Sequence, residues 1–331
     1  MRHLRWGLLG AGNIAAKFAN GLTRTDQATG LAIGSRNLEK AREFAAKHGL
    51  ERAYGSYDEV LADPDVDVVY IALPNHLHAE WSIKAAQAGK HILCEKPVTL
   101  NTPQLERVLA VVKAQDVFFM EAFMYRCHPQ LQKVRELLEA GAIGEVRTLH
   151  ASFSFNMGPQ YDNTRMVNYM GGGGLMDVGC YCVSFCRWAV GEEPARCRAV
   201  AHIGERTRVD EYMAGVLEFP SGPVAYFTSG IQCNVPASAD IYGSRGSIHI
   251  ESPWLPPESG TPVMLLADGK AETFEISLGR DLYENEALHV AEHLEQRQAP
   301  AMTWDDSLGQ MRALDALRAD MGLVFDGEEG D

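Results

Sequence analysis

"LRWGLLGAGNIAAKF", residues 4–18, is the stretch on which the fold turns. Residues 4–10 form a short apolar run that reads as a strand, and 14–20 read as a helix. Between them lies Gly10-Ala11-Gly12-Asn13-Ile14-Ala15, a G-x-G-x-x-A. In a strand–turn–helix setting each small residue has a task. Gly10 allows the tight turn, Gly12 lets the backbone approach a pyrophosphate, and Ala15 permits close helix–strand packing. The helix N-terminus adds N–H donors and a partial positive charge. Gly10, Gly12, Asn13 and Ile14 are therefore expected at a dinucleotide. The spelling alone is weak; its place between the first strand and the first helix gives it weight. The competing reading is a glycine turn with no dinucleotide.

Outward from this stretch, strand and helix signals alternate. Strands are expected at 29–35, 66–73, 91–95 and 117–123, and helices at 37–49, 78–89 and from Thr102. Ser56 and Glu59 form a capping-box pattern opening a short helix to Ala62. Regular alternation implies a parallel sheet covered by helices on both faces. After a helix at 129–140 the pattern changes. Strand-like runs follow at 146–156, 196–203, 211–219, 223–231, 238–242, 247–251, 263–267 and 271–276, interrupted by a helical segment at 171–190. Strands joined by turn residues imply a mostly antiparallel sheet. Helices near 284–297 and 305–321 finish the chain. The expected class is α/β: a doubly wound Rossmann domain over 1–124, and over 125–331 an α/β domain with a large, mostly antiparallel open sheet.

The 331 residues suit two domains, and 46% hydrophobic with 22% charged residues describes a globular, core-forming chain. No apolar run approaches the ~20 residues needed to cross a bilayer. The N-terminus lacks the long apolar core of a secretory signal, so a cytoplasmic location is expected. A net charge of −14 disfavours nucleic acid and anionic lipid as partners. Seven cysteines without a framework read as free, mostly buried thiols.

The end of the second strand speaks to cofactor choice. An NAD site usually places Asp or Glu there, for the ribose 2′-OH. Here the stretch is Gly34-Ser35-Arg36, without a carboxylate. Ser35 can donate to a 2′-phosphate, Arg36 can pair with it and stack on adenine, and Lys40 lies one helical turn on. NADP is the expected cofactor. If Arg36 is only a solvated cation, NAD serves as well.

The strand "HILCE" ends in Glu95-Lys96-Pro97, where parallel strands present their carboxyl ends to ligands. With this lysine in view, "LPNHLHAEW", "CEKPVTLN", "MEAFMYRCHP" and "GGGGLMDVGCY", in that order, resemble the glucose–fructose oxidoreductase / inositol dehydrogenase (Gfo/Idh/MocA) family. The resemblance covers nearly the whole chain. It is closest to the branch containing NADP-dependent D-xylose dehydrogenase and dimeric dihydrodiol dehydrogenase. It implies a Rossmann domain followed by a domain whose open sheet often joins subunits, hence a homodimer or homotetramer. It assigns Lys96 to nicotinamide ribose and substrate, and Asp177 to the site helix. Many members carry an acid/base histidine where this chain has Tyr181. Leu73, Asn75, His78 and Glu95 match positions on the cofactor side. Arg126 matches a position facing cofactor and substrate. Gly34 and Gly174 replace commoner alanines.

The residues carry their own logic. Four residues turn a helix by about 400°, so Asp177 and Tyr181 share a face. Tyrosine ordinarily titrates near ~10, and an ammonium such as Lys96 favours its phenolate. Such a tyrosine can take a hydroxyl proton as hydride leaves the carbon. Asp177 could orient substrate hydroxyls and hold Lys96 charged. The plain alternative is a buried tyrosine with a structural hydrogen bond and an aspartate favouring the helix dipole. Arg165 reads either as a substrate anchor or as a surface cation.

Three other patterns mimic metal sites. Cys182 and Cys186 share a face but do not complete a zinc shell, and with Cys180 they read as packing. His289, Glu292 and His293 spell H-x-x-E-H on a helix whose polar flank explains them. His76, His78 and Glu80 follow a Rossmann strand and read as cofactor lining. No metal is expected. The function expected is NADP-dependent hydride transfer to or from an aldose-like pyranose or vicinal diol. Trans-dihydrodiol oxidation and 1,5-anhydrofructose-type reduction are the alternatives. An NAD-dependent glycosidase and a dinucleotide-sensing regulator are readings of another class. Substrate choice falls to loops 157–170 and 232–237.

Overall fold

A computed structural model describes residues 2–328; Met1 and 329–331, the outer ends of the two expected domains, lie outside the described residues. Two sheets organise the chain, one of six strands and one of eight. The first contains β1 (Leu4–Leu9), β2 (Ala28–Gly34), β3 (Arg52–Tyr54), β4 (Val68–Ile71), β5 (His91–Glu95) and β6 (Phe119–Ala122) in the order β3-β2-β1-β4-β5-β6. Every neighbouring pair is parallel. Strand order reverses between β1 and β4, which makes their carboxyl ends the ligand crevice of a doubly wound sheet. The expected α/β class is found, with β3 added. That three-residue, half-buried strand has too little periodicity to announce itself.

Helices α1 (Asn13–Leu22), α2 (Leu38–His48), α3 (Tyr57–Ala62), α4 (His78–Gln87) and α5 (Thr102–Ala114) cover this sheet. Local chemistry sets their ends. Asn37 accepts the Lys40 N–H, and Gly49 closes α2 in the left-handed conformation. Ser56 accepts the Glu59 N–H, while the Glu59 carboxylate takes the Ser56 hydroxyl instead of the cap's backbone N–H. Phe18 on α1 stacks on Tyr70 of β4 at 4.0 Å and meets Trp6 of β1 edge-on at 4.9 Å. All three rings are fully buried.

The chain forms two compact units, and their division is not linear. Residues up to Cys127 join with Arg280–Leu308, and His128–Gly279 join with the residues from Gly309 on. The expected single boundary at 124/125 misses this return. Its cause is the packing of α8 (Leu282–His293) on α1. A Cβ at Gly21 would stand 2.7 Å from the Glu284 nitrogen. The two helices meet backbone to backbone there, at a glycine.

The second unit opens with α6 (Pro129–Glu139). Its sheet contains β7 (Val146–Ser154), β8 (Arg196–Ile203), β9 (Asp210–Glu218), β10 (Val224–Gly230), β11 (Ser238–Gly243), β12 (Gly246–Ile250), β13 (Thr261–Ala267) and β14 (Lys270–Ile276). Their order is β14-β13-β12-β11-β7-β10-β9-β8. All pairs are antiparallel except β7 with β10. Helix α7 (Cys180–Val190) packs on β7 and β10. Trp254, 1% exposed, donates its indole N–H to the Ser152 carbonyl at 2.9 Å. A final helix, α9, spans Trp304–Met321.

Candidate active site

In the first unit the glycine loop follows β1. Gly10 has φ +101°, and a Cβ there would lie 2.7 Å from the Ala72 carbonyl oxygen at the end of β4. Gly12 caps α1, and no side chain accepts the first N–H groups of that helix. The space a Gly12 side chain would fill is open, with nothing within 4 Å. Uncapped donors facing open space fit a pyrophosphate. Asn13 is exposed and Ile14 half-buried beside them.

Ser35, buried at the end of β2, accepts the Asn37 N–H at 3.2 Å. Arg36 and Lys40 are exposed. The Arg36 guanidinium lies close enough to Tyr57 and His76 for its charge to act on both. Burial still pushes the Tyr57 phenol up, with Arg36 acting against it. Burial and then the same guanidinium push the His76 imidazole down. This cation therefore sits in a small aromatic corner at the strand ends, a place that suits an anion on an adenosine ribose.

Lys96 follows β5, and the Lys96–Pro97 peptide is cis. Its backbone is pinned on several sides. Glu95 accepts the Lys96 N–H at 3.3 Å, and Glu121 accepts the Val98 N–H at 3.0 Å and the Ser307 hydroxyl at 2.8 Å. His78 sets its ring nitrogens 2.8 Å from the Pro97 carbonyl and 2.7 Å from the Leu73 carbonyl. Burial drives the His78 imidazole down to about 4, against the two carbonyls. His78, expected to line the cofactor side, is 0% exposed with its ring turned inward. It ties the Lys96 segment to the end of β4. Leu73 is buried and Asn75 half-buried at the same strand end.

Behind Lys96 lies a buried acid cluster. Tyr70 donates a short hydrogen bond to Glu95. Glu286, on α8 and 1% exposed, has an Oε1 with no hydrogen-bond partner. Burial, and then Glu95, push the Glu286 carboxyl well above its usual range. Burial thus favours the protonated form of Glu286. Arg126, expected to face the site, instead pairs with Asp306 at 2.6 Å with its side chain 5% exposed.

In the second unit residues 171–174 are four consecutive glycines. Gly173 has φ +110°. A Cβ on Gly172 would lie 2.5 Å from the Arg165 carbonyl oxygen, and one on Gly173 2.1 Å from Asp210 Oδ1. The turn leads into a π-helical turn, Leu175–Gly179, and then α7. Asp177 and Tyr181 are therefore spaced across a π turn rather than the regular α-helix expected; such turns are frequent at functional sites. Asp177 accepts from Arg165 Nε at 2.6 Å. Arg165 is thus the partner of Asp177. Tyr181, 4% exposed, meets Phe153 edge-on at 5.4 Å and Trp254 at 6.0 Å. Asp210, which the sequence reading missed, accepts the Leu175 N–H at 2.6 Å.

The three patterns that resemble metal sites are placed as follows. Cys180, Cys182 and Cys186 are buried free thiols, and burial pushes Cys186 up to about 12. They are packing. Glu80 pairs with Lys84 at 2.7 Å. Each of His289, Glu292 and His293 offers a ligand atom within 4.8 Å of the others. His293 Nδ1 is engaged with the His289 carbonyl, and His289 Nε2 is buried.

A glycine-cradled helix N-terminus at a sheet switch point, joined in one chain to a second α/β unit, is the build of a nicotinamide-dependent oxidoreductase. Residues 4–123 match the Gfo/Idh/MocA oxidoreductase family, NAD-binding Rossmann fold, and residues 131–249 match a Gfo/Idh/MocA C-terminal domain. The chain belongs to this oxidoreductase family. It is 34% identical to trans-1,2-dihydrobenzene-1,2-diol dehydrogenase of Xenopus tropicalis, over 97% of this chain and 99% of that one. It is 33% identical to D-xylose 1-dehydrogenase (NADP(+)) 2 of Haloferax volcanii, over 95% and 96%. A solved 3-ketoreductase of Actinomadura kijaniata, in complex with NADP and TDP-benzene, superposes with a TM-score of 0.89. It is 31% identical, covering 96% of this chain and 97% of that one. Among the described residues no helix is long and apolar enough to cross a membrane.

The Glu286 environment gives a pH signature. Its folded pKa is raised, so its contribution to stability is full below about 4.5 and is lost as pH rises through the folded value. Glu286→Gln removes this titration. The stability of wild type relative to Glu286→Gln is expected to fall as pH rises above about 4.5, read by urea unfolding. A difference constant with pH would contradict the neutral buried acid.

Proposed function

We propose that the protein is an NADP-dependent dehydrogenase/reductase acting on the carbinol carbon of an aldose-like pyranose or a vicinal diol. What supports the reading is that this family member keeps a pinned E-K-P lysine in its first unit and, in its second, a buried Tyr181 on the segment that carries the Arg165-held Asp177. The sequence likeness to a dihydrodiol dehydrogenase and a D-xylose dehydrogenase supports the substrate class. The NADP named for the xylose dehydrogenase and bound in the ketoreductase supports the cofactor, as do Ser35, Arg36 and Lys40.

The nicotinamide, when bound, supplies the hydride acceptor or donor at its C4. Gly10, Gly12, Asn13 and Ile14 would hold the pyrophosphate, and Leu73, Asn75 and Glu95 would border the nicotinamide end. Tyr181 takes the hydroxyl proton during oxidation and returns it during reduction. Lys96 supplies an ammonium that polarises a substrate oxygen. Asp177, oriented by Arg165, directs substrate hydroxyls. Arg126 acts through its pair with Asp306. Phe153 and Trp254 keep the Tyr181 ring in one orientation and exclude water around it. The alternatives within this class are trans-dihydrodiol oxidation and 1,5-anhydrofructose-type reduction. A glycosidase using retained NAD is disfavoured by Tyr181 and by the Ser35-Arg36 pair.

The working form is a homodimer or homotetramer in the cytoplasm, built through the eight-stranded sheet. One face of that sheet exposes Val200, Tyr212, Tyr226, Tyr242, Met264 and Leu266. The register aligns Val216, Tyr226, His150, Asp240, His249 and Met264 in one row across six strands. A second copy of this face would cover it. Seven free cysteines are consistent with a reducing compartment.

NADP⁺ reduction scanned against aldoses, inositols and diols tests the reading, with Tyr181→Phe as control. Activity on at least one class is expected, with kcat lowered about 10²- to 10⁴-fold in the variant. A silent panel, or full activity in Tyr181→Phe, would sink it. Arg36→Ala is expected to raise KM for NADP⁺ by about 10- to 100-fold, the worth of a charged hydrogen bond, and to leave KM for NAD⁺ nearly unchanged. Equal losses with both cofactors would remove Arg36 from the 2′-phosphate.

A further inference from the structure

Asp210 opens β9, yet it serves a turn some forty residues earlier. It is fully buried. Its Oδ2 accepts the Leu175 N–H at 2.6 Å. This is the first backbone donor of the segment that carries Asp177 and Tyr181, and no side chain within that segment caps it. The fit is tight. A Cβ at Gly173 would lie 2.1 Å from Asp210 Oδ1, and one at Gly174 3.3 Å from Oδ2. The glycine run thus makes room for a carboxylate as well as for a turn. Oδ1 has no hydrogen-bond partner. A buried acid that binds through one oxygen and leaves the other bare is costly to keep.

We propose that Asp210 is a positioning residue for the reaction: its carboxylate clamps the start of the π turn and so sets where Asp177 and Tyr181 are presented. The inference rests on the reading of those two residues as the chemical pair. The clamp acts through the backbone. It removes the freedom of the first turn, and the following side chains inherit its orientation. A displacement of about 1 Å at reacting groups costs about 100-fold in rate, so a loosened first turn is felt in kcat.

The charges around Asp210 are few. Arg318 of α9 faces it and is held by Glu328 in a short pair and by Asp315 at 3.8 Å. Arg208 is turned to Asp326, and Glu211 to Thr207 and His202. Asp177 is committed to Arg165. Burial therefore dominates, and it raises the Asp210 carboxyl to about 7, with the N–H donors and Arg318 opposing it. Ionisation strengthens the clamp, so kcat should rise with pH through this region.

Asp210→Ala and Asp210→Asn are compared with Tyr181→Phe in the full chain, with NADPH binding read by fluorescence. In Asp210→Ala, kcat is expected to drop about 10- to 100-fold while NADPH affinity holds. Asp210→Asn keeps an acceptor and should recover most of kcat, and its kcat profile should lose the ionisation near 7. An Asp210→Ala enzyme with wild-type kcat would overturn the proposal. If Asp210→Ala does not fold, Asp210→Asn decides, and a neutral ionisation that survives in it overturns the proposal. If Tyr181→Phe is fully active, the reading of the pair fails first, which is a separate outcome.

Discussion

Gly10 and Gly173 stand in turns with no room for a Cβ, and each turn leads into helical backbone whose first N–H groups need an acceptor. At Gly10 the obstacle is the Ala72 carbonyl, and at Gly173 it is the Asp210 carboxylate. The same constraint is used in opposite ways. The donors after Gly10 are left uncapped beside open space, as an anionic ligand requires. The donors after Gly173 are satisfied internally by a buried acid. One turn waits for a cofactor, and the other holds side chains still.

The Lys96 segment shows the same economy in the first unit. Glu95, Glu121 and His78 each take one backbone group around it. Two of these acids and Glu286 are buried, in a chain whose net charge is already −14. Burying three carboxyls near one another is tolerable only when protons and hydrogen bonds neutralise them. Burial favours the protonated form of Glu286, and Glu121 accepts from Val98 and Ser307. Cationic help is supplied locally at Arg36 and Lys96, since the field of the whole molecule repels an anionic ligand.

Much of this was legible beforehand. The glycine loop, the β-α alternation, the missing carboxylate after β2 and the packing role of the three cysteines follow from local spacing and composition. What was not legible depends on distant pairing. Asp210 looks like an ordinary strand-opening residue until the glycine turn lies against it. Glu121 carries a faint signal, a carboxylate inside the apolar run "VFFMEAF". His78 reads as lining because a motif records position along the chain and not which way a ring turns. The return of 280–308 to the first unit hides for a similar reason. Periodicity reports that α8 buries a face, and only the bare backbone at Gly21 shows where.

The central claim is direct hydride transfer between a substrate carbinol carbon and the nicotinamide. It is tested by supplying an accepted sugar or diol deuterated at that carbon and isolating the reduced cofactor. The account predicts one deuterium at nicotinamide C4 in NADPH formed in step with product. Product formed without net NADPH, or NADPH without deuterium, would contradict it.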